Sequence, residues 1–274
     1  MSTPYIAFPF ARLRARRATA FAARLARGAQ WWVTPLALGA LWWYASAHAW
    51  VSVQLLVPPQ RVWGTALDLW LDGELQQNIA ITLRRLAVGF VWGAGSGAVC
   101  GLLLARSRIF GDFVQPLFDL LRQIPTLTLI PVLILLIGID EPLKIVIVAK
   151  AVFFPVALAT LGGVRDAPRD LIEMARHYGV GRGALLRDVI VPAACGPVLT
   201  GVRIALARAW LALVAAELLA ADSGIGEMME MARQMMRIDV VLVDVFVIGL
   251  IGFVMDQFIA GVQRWASRWQ AISR

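Results

Sequence analysis

The sequence predicts an all-α polytopic membrane protein with about six transmembrane helices. Three observations predict it. Of the 274 residues, 59% are hydrophobic and only 16% are charged, against roughly 45–50% and ~25% in soluble domains. Several nearly uncharged runs reach the ~20 residues that a helix needs to cross ~30 Å of hydrocarbon. The net charge of +8 is carried almost wholly by arginine, the two lysines being Lys144 and Lys150, and the arginines collect between the runs. That placement fits cytoplasmic loops better than a nucleic-acid surface.

The basic segment 1–30, with Arg12, Arg14, Arg16, Arg17, Arg24 and Arg27, precedes a first span over 31–57. No Asp, Glu, Lys or Arg falls between Gln30 and Arg61, which centres that span near 33–56. Ala45-Ser46-Ala47 would suit signal cleavage, but bulky Trp42, Trp43 and Tyr44 precede it, and a retained span is the expectation. Pro58-Pro59 then breaks the chain before an amphipathic stretch ending at Arg85.

The second span is the uncharged stretch between Arg85 and Arg106, where Gly93, Gly97 and Gly101 recur every four residues. Small residues at that spacing share a face and let two membrane helices approach closely. The third centres on Ile124–Ile139 after Phe113–Arg122. Pro125 and Pro131 are both expected to kink or break it, which is tolerated beside protein or a wet cavity. The fourth covers about Leu143–Val164, the fifth lies near 198–221 and the sixth near 241–263. Thus 58–263 form the core and 264–274 a tail.

Six spans place both termini on one side. Assigning that side to the cytoplasm gives it the N-terminal arginines, Arg106, Arg108, Arg165, Arg169, Arg176, Arg182, Arg187, Arg264, Arg268 and Arg274. The other side collects Asp68, Asp72, Glu74, Asp140, Glu141, Asp222, Glu227, Glu230 and Asp239. The bias makes the polar hairpin over 165–192 cytoplasmic. In it, Pro168 suits a first helical turn and Arg169–Tyr178 is helical, with Leu171, Ile172, Ala175 and Tyr178 on one face. Gly179 falls at the C-cap position. Gly181 and Gly183 make a second turn, and Ala184–Val189 a separate short helix that ends before Pro192.

The hairpin spacing carries more than a solvated loop would. Glu173-Met174-Ala175, three residues, Gly179, nine residues and Val189-Ile190-Val191-Pro192 resemble the Glu-Ala-Ala signature of ABC importer permeases of the binding-protein-dependent type. Met174 departs from the middle alanine, and Val189 and Val191 are conservative replacements. The resemblance runs from about Val57 to Trp269. "LLRQIPTLTLIPVLILLIGI", "VFFPVALATLGGVRD" and "GVRIALARAWLALVAAELLAADSGIG" look like the nitrate, taurine and aliphatic sulfonate branch. It implies a type I importer permease in a bacterial inner membrane, a homodimer carrying two cytoplasmic ATPase subunits and fed by a periplasmic or extracellular solute-binding protein. ATPase coupling would then fall on Glu173, Met174, Ala175, Gly179, Gly181 and Pro192. ATP and magnesium would belong to the partner.

Charges inside spans are costly unless paired or wet. Depth matching suggests the pairs Arg203–Asp256 and Lys150–Glu217, holding the bundle together. Arg208 has a second reading, as a group facing the translocation path and favouring an oxyanion.

No Gly-x-x-x-x-Gly-Lys-Ser/Thr loop occurs, so the chain is not expected to be an enzyme or to hydrolyse ATP. The histidines His48 and His177 are too few and too far apart for a metal site, and Cys100 and Cys195 do not suggest a disulfide. An ion-coupled carrier using Lys150, Glu217 and Asp256 as relays is a competing reading; it leaves the hairpin without a purpose. A scaffold, the third reading, has no use for broken helices. Which solute is carried is not written in any residue.

Overall fold

The computed structural model describes residues 33–52 and 56–271. Segment 1–30 and residues 272–274, including Arg274, lie outside them, so the expectations for the N-terminal arginines and the end of the tail have no structural counterpart here. The chain divides into two compact units, Met1–Gly64 and Thr65–Arg274.

In the first unit, helix α1 covers 33–47, shorter than the expected span to residue 56. The indole of Trp42 donates to the carbonyl of Val57 at 3.1 Å. Tyr44 and Trp50 meet edge to face at 5.7 Å. Helix α2, Pro59–Leu71, which runs across the boundary at Gly64, begins at the second of the two prolines, where a missing N–H costs nothing.

Among the described residues of the second unit, the regular elements are helices. Glu74–Arg106 forms α3 and Arg108–Gln123 α4; a short 3-10 turn at Leu127–Leu129 leads into α5, Ile130–Ile137. Glu141–Arg165 is α6, Arg169–His177 α7, Arg182–Leu185 α8 and Val191–Ala220 α9. Ile225–Gln234 is α10 and Ile238–Ala271 α11. Among the described residues, four helices are long and apolar enough to cross a membrane, or five when α4 and the 127–137 segment count as one broken span bent by 88°. Six is therefore an approximate number.

Helix α6 lies at the centre, packed between α3 and α9. The α3 glycines explain the close approach. A methyl placed on Gly97 would lie 2.6 Å from the Phe153 carbonyl oxygen, and one on Gly93 would lie 2.5 Å from that of Ala149. Gly89 continues the same stripe by one turn, meeting Val148 at 2.6 Å. Leu86, Val148, Val152, Val156, Ala205 and Leu213 fill the space among the three helices. Phe118 from α4 meets Phe154 of α6 with ring centres 5.0 Å apart and tilted by 57°.

The two prolines of the third span act differently. Pro125 sits in the break between α4 and the 3-10 turn, whereas Pro131 occupies the first turn of α5. There its absent donor has no partner to lose. The expected second kink is a helix start.

Candidate functional site

Helix α7 ends in two bonds that fix the hairpin's shape. Gly179 N–H donates to the Arg176 carbonyl and Val180 N–H to that of Ala175, both at 3.0 Å. This pair is the Schellman pattern, and it needs a left-handed residue at its turn. Gly179 supplies it with φ +72.

The other arm differs from the expected separate helix. Gly183 lies inside α8 rather than in a turn, and a five-residue π turn at Leu186–Ile190 carries the helix on into α9. From Gly183 to Ala220 the chain is one helical rod of 38 residues. Pro192 has no N–H and its ring crowds the carbonyl four residues back, so the turn ahead of it widens. The Val191 N–H accordingly donates to Leu186, five residues back.

Helix α7 and the start of α9, together with Trp265 near the end of α11, line an open groove of about 1180 Å³. Leu171, Met174, Ala175 and Tyr178 face it, three of them strongly exposed, with Tyr178 at 83%. Met174, the departure from the signature, therefore lies on the apolar stripe between Leu171 and Tyr178. Glu173 and Arg176 occupy the exposed rim.

The candidate charges Lys150, Arg203, Arg208, Glu217 and Asp256 fall into three arrangements. Arg203 of α9 holds Asp256 of α11 through two bonds of 2.7 Å. Lys150 and Glu217 are not a pair. Lys150 Nζ donates to the Ile124 carbonyl at 2.8 Å and lies 5.6 Å from the Phe154 ring centre.

Glu217 belongs to a buried network that sequence reasoning missed. The guanidinium of Arg85, 2% exposed, donates to Glu217 at 2.8 Å and also to Glu141. It further reaches the Ser223 carbonyl at 2.6 Å and the Ser223 hydroxyl at 2.9 Å. Thr82 accepts from the Ile225 N–H at 3.0 Å and donates to Glu217, which also accepts from the Gly226 N–H at 3.2 Å. The uncharged run places Arg85 at the edge of a span, but α3 begins eleven residues earlier, at Glu74. Thr82 and Arg85 stand on the Gly89–Gly93 stripe, and that spacing is the signal that leads to them. Gly224 (φ +108) passes so close to Glu217 that a methyl there would lie 2.5 Å from a carboxylate oxygen.

Arg208 is exposed and lines a cavity with Lys150 beside the Pro125 break.

Comparison with known proteins places these features in a family. Residues 97–268 match the family model of the binding-protein-dependent transport system inner membrane component. SsuC of Escherichia coli (strain K12), assigned as an aliphatic sulfonates transport permease protein, is 37% identical over 225 residues, covering 82% of this chain and 86% of SsuC. TauC of the same strain, a taurine transport system permease protein, is 33% identical over 224 residues, 80% of this chain and 82% of TauC. In fold, the chain resembles a crystal structure of an amino acid ABC transporter at a TM-score of 0.59. That match is 14% identical and covers 74% of this chain and 97% of the other.

Proposed function

The chain belongs to the family of binding-protein-dependent transport system inner membrane components, a transport permease and not an enzyme, and we propose that it forms the path for a small anionic solute in an ATP-driven importer. ATPase subunits work it through the 165–192 hairpin. The observation that carries this reading is the exposed stripe Leu171–Met174–Tyr178 on a firmly capped helix. An amphipathic helix of this kind suits a partner's groove, its apolar residues at i, i+3 and i+7 acting as anchors.

The mechanism follows from the continuity of the second arm. Force applied to α7 pivots about Gly179 and Gly181, the residues between the two arms. Because 183–220 is one rod, rotation of its hairpin end reaches Arg203, Arg208 and Glu217 directly. ATP binding, with magnesium, closes two ATPases; the hairpins of two permease subunits approach, and the paired rods tilt as packed helices shear. Hydrolysis in the partner resets them. A solute-binding protein delivers from the face opposite the hairpin. In this arrangement the permease is a homodimer with hairpin and both termini in the cytoplasm.

The solute class is drawn from likeness to permeases of sulfonates and taurine. A photoreactive residue placed at Tyr178 tests the docking surface in membranes of the source cell. The expected product is a cross-link to an ATPase subunit, dependent on light; cross-links to lipid alone would contradict the reading.

A further inference from the structure

Two uncompensated cations meet at the break of the third span. A cavity of about 310 Å³ opens between residues 124–127, α6 and α9, lined by Arg122, Thr126, Lys150 and Arg208 among others. Lys150 is the tenth residue of the 25-residue α6, and Arg208 the eighteenth of the 30-residue α9. Both therefore lie near the middle of their spans, where a charge is costly without a partner or water. Two other intramembrane arginines have carboxylates: Arg85 has Glu141 and Glu217, and Arg203 has Asp256. Arg122, at the cavity's rim, has Asp119 at 3.0 Å. Among the described residues no carboxylate pairs with Lys150 or Arg208.

The donors left over are those an oxyanion needs. Lys150 spends its N–H groups on the Ile124 carbonyl at 2.8 Å and Thr126 Oγ1 at 3.4 Å, leaving one of an ammonium's three. Thr126, accepting from Lys150, keeps its own hydroxyl proton to donate. The planar guanidinium of Arg208 offers two parallel N–H groups to two oxygens of one anion. The break contributes as well. Pro125 interrupts the helix, so the Ile124 carbonyl is free to anchor Lys150 over the cavity instead of bonding within a helix.

We propose that this cavity is a permease-resident site for the oxyanion headgroup of the transported solute. Arg208 grips two of its oxygens, and Lys150 with Thr126 holds the third. The inference rests on the importer reading and adds a substrate-contacting site to it. The cavity lies at the small end of ligand sites, which run from ~300 Å³ upward, so it admits a compact sulfonate-sized head. The site sits on the α9 rod, and tilting that rod would withdraw Arg208 from Lys150 on α6, releasing the anion.

The test uses the full chain in lipid nanodiscs, at constant ionic strength, with methanesulfonate as probe and dimethyl sulfone as its neutral isostere. Unfolding temperature, followed by tryptophan fluorescence, reports binding by mass action. The expected result is a saturable rise with methanesulfonate and none with dimethyl sulfone. Arg208→Gln and Lys150→Met should each weaken the apparent affinity about tenfold or more, the loss of a charge-assisted hydrogen bond. Arg208 is exposed, so its variant keeps the test decisive if Lys150→Met does not fold. No saturable response in the wild type, an equal response to the neutral isostere, or unchanged affinity in Arg208→Gln would overturn the site. ATPase capture by the same preparations separates the two readings. Capture without anion binding sinks the site alone, whereas no capture by the wild type sinks the importer reading beneath it.

Discussion

At the residue scale, Arg85 and Glu217 decide how the acidic loop after α9 is held. Every N–H of the guanidinium has an acceptor within reach among Glu141, Glu217 and Ser223. Removing one member leaves the other's charge buried, a loss of about 3–5 kcal/mol in comparable pairs. Arg85→Met is therefore expected to lower the unfolding temperature in nanodiscs sharply, and Glu217→Gln in the same chain to restore part of it. A single variant that melts with the wild type would contradict the network. Part of this scale was legible beforehand. Arg203 and Asp256 are found from depth alone because each is the only charge of its sign at that level of its helix. Depth pairs Glu217 with the wrong cation because it cannot say which helix face a side chain takes, and charge alone makes Arg85 a border. The stripe spacing leads to Thr82 and Arg85, but their partners Glu217, Glu141 and Ser223 come together only in the packed bundle.

Individual elements show where periodicity carries information and where it stops. A stripe of glycines at four-residue spacing announces a close helix contact, and α3 on α6 is that contact. Gly97→Leu should destabilise the bundle by about 1–3 kcal/mol or more through overpacking, because the added carbon meets the Phe153 backbone at 2.6 Å. Gly95→Leu, two residues away with open space around it, should leave the melting temperature unchanged. Equal effects of the two would remove the stripe's role. The hairpin's first arm and its Gly179 cap were legible from caps and spacing. The second arm was not, since Gly181, Gly183 and Pro192 read as breakers; a π turn absorbs the proline and keeps the rod whole. Pro131 taught the same lesson in reverse, for a proline at a helix start breaks nothing. The continuous second arm also has a mechanical consequence. Inserting two glycines after Ile190 should leave ATPase capture intact while abolishing ATP-driven uptake by the assembled transporter. Uptake at the wild-type rate would show that the rod carries no force.

For the whole molecule, composition and arginine placement reached the membrane class and orientation expectation, and the hairpin spacing reached the family. The number of spans was less legible. The broken span and the helix 33–47 do not present themselves as single apolar rods, and hydropathy averages over a bend. The importer reading makes the hairpin the point where an ATPase drives this permease. Its most direct measurement is mild-detergent capture of the tagged chain, with and without Met174→Glu, and mass identification of the copurifying proteins. Met174 is 56% exposed, so the substitution leaves the fold in place while setting a charge in the apolar stripe. An ATPase subunit is expected with the wild type, and its loss with the variant. An ATPase captured equally by both, or by neither, would contradict that reading.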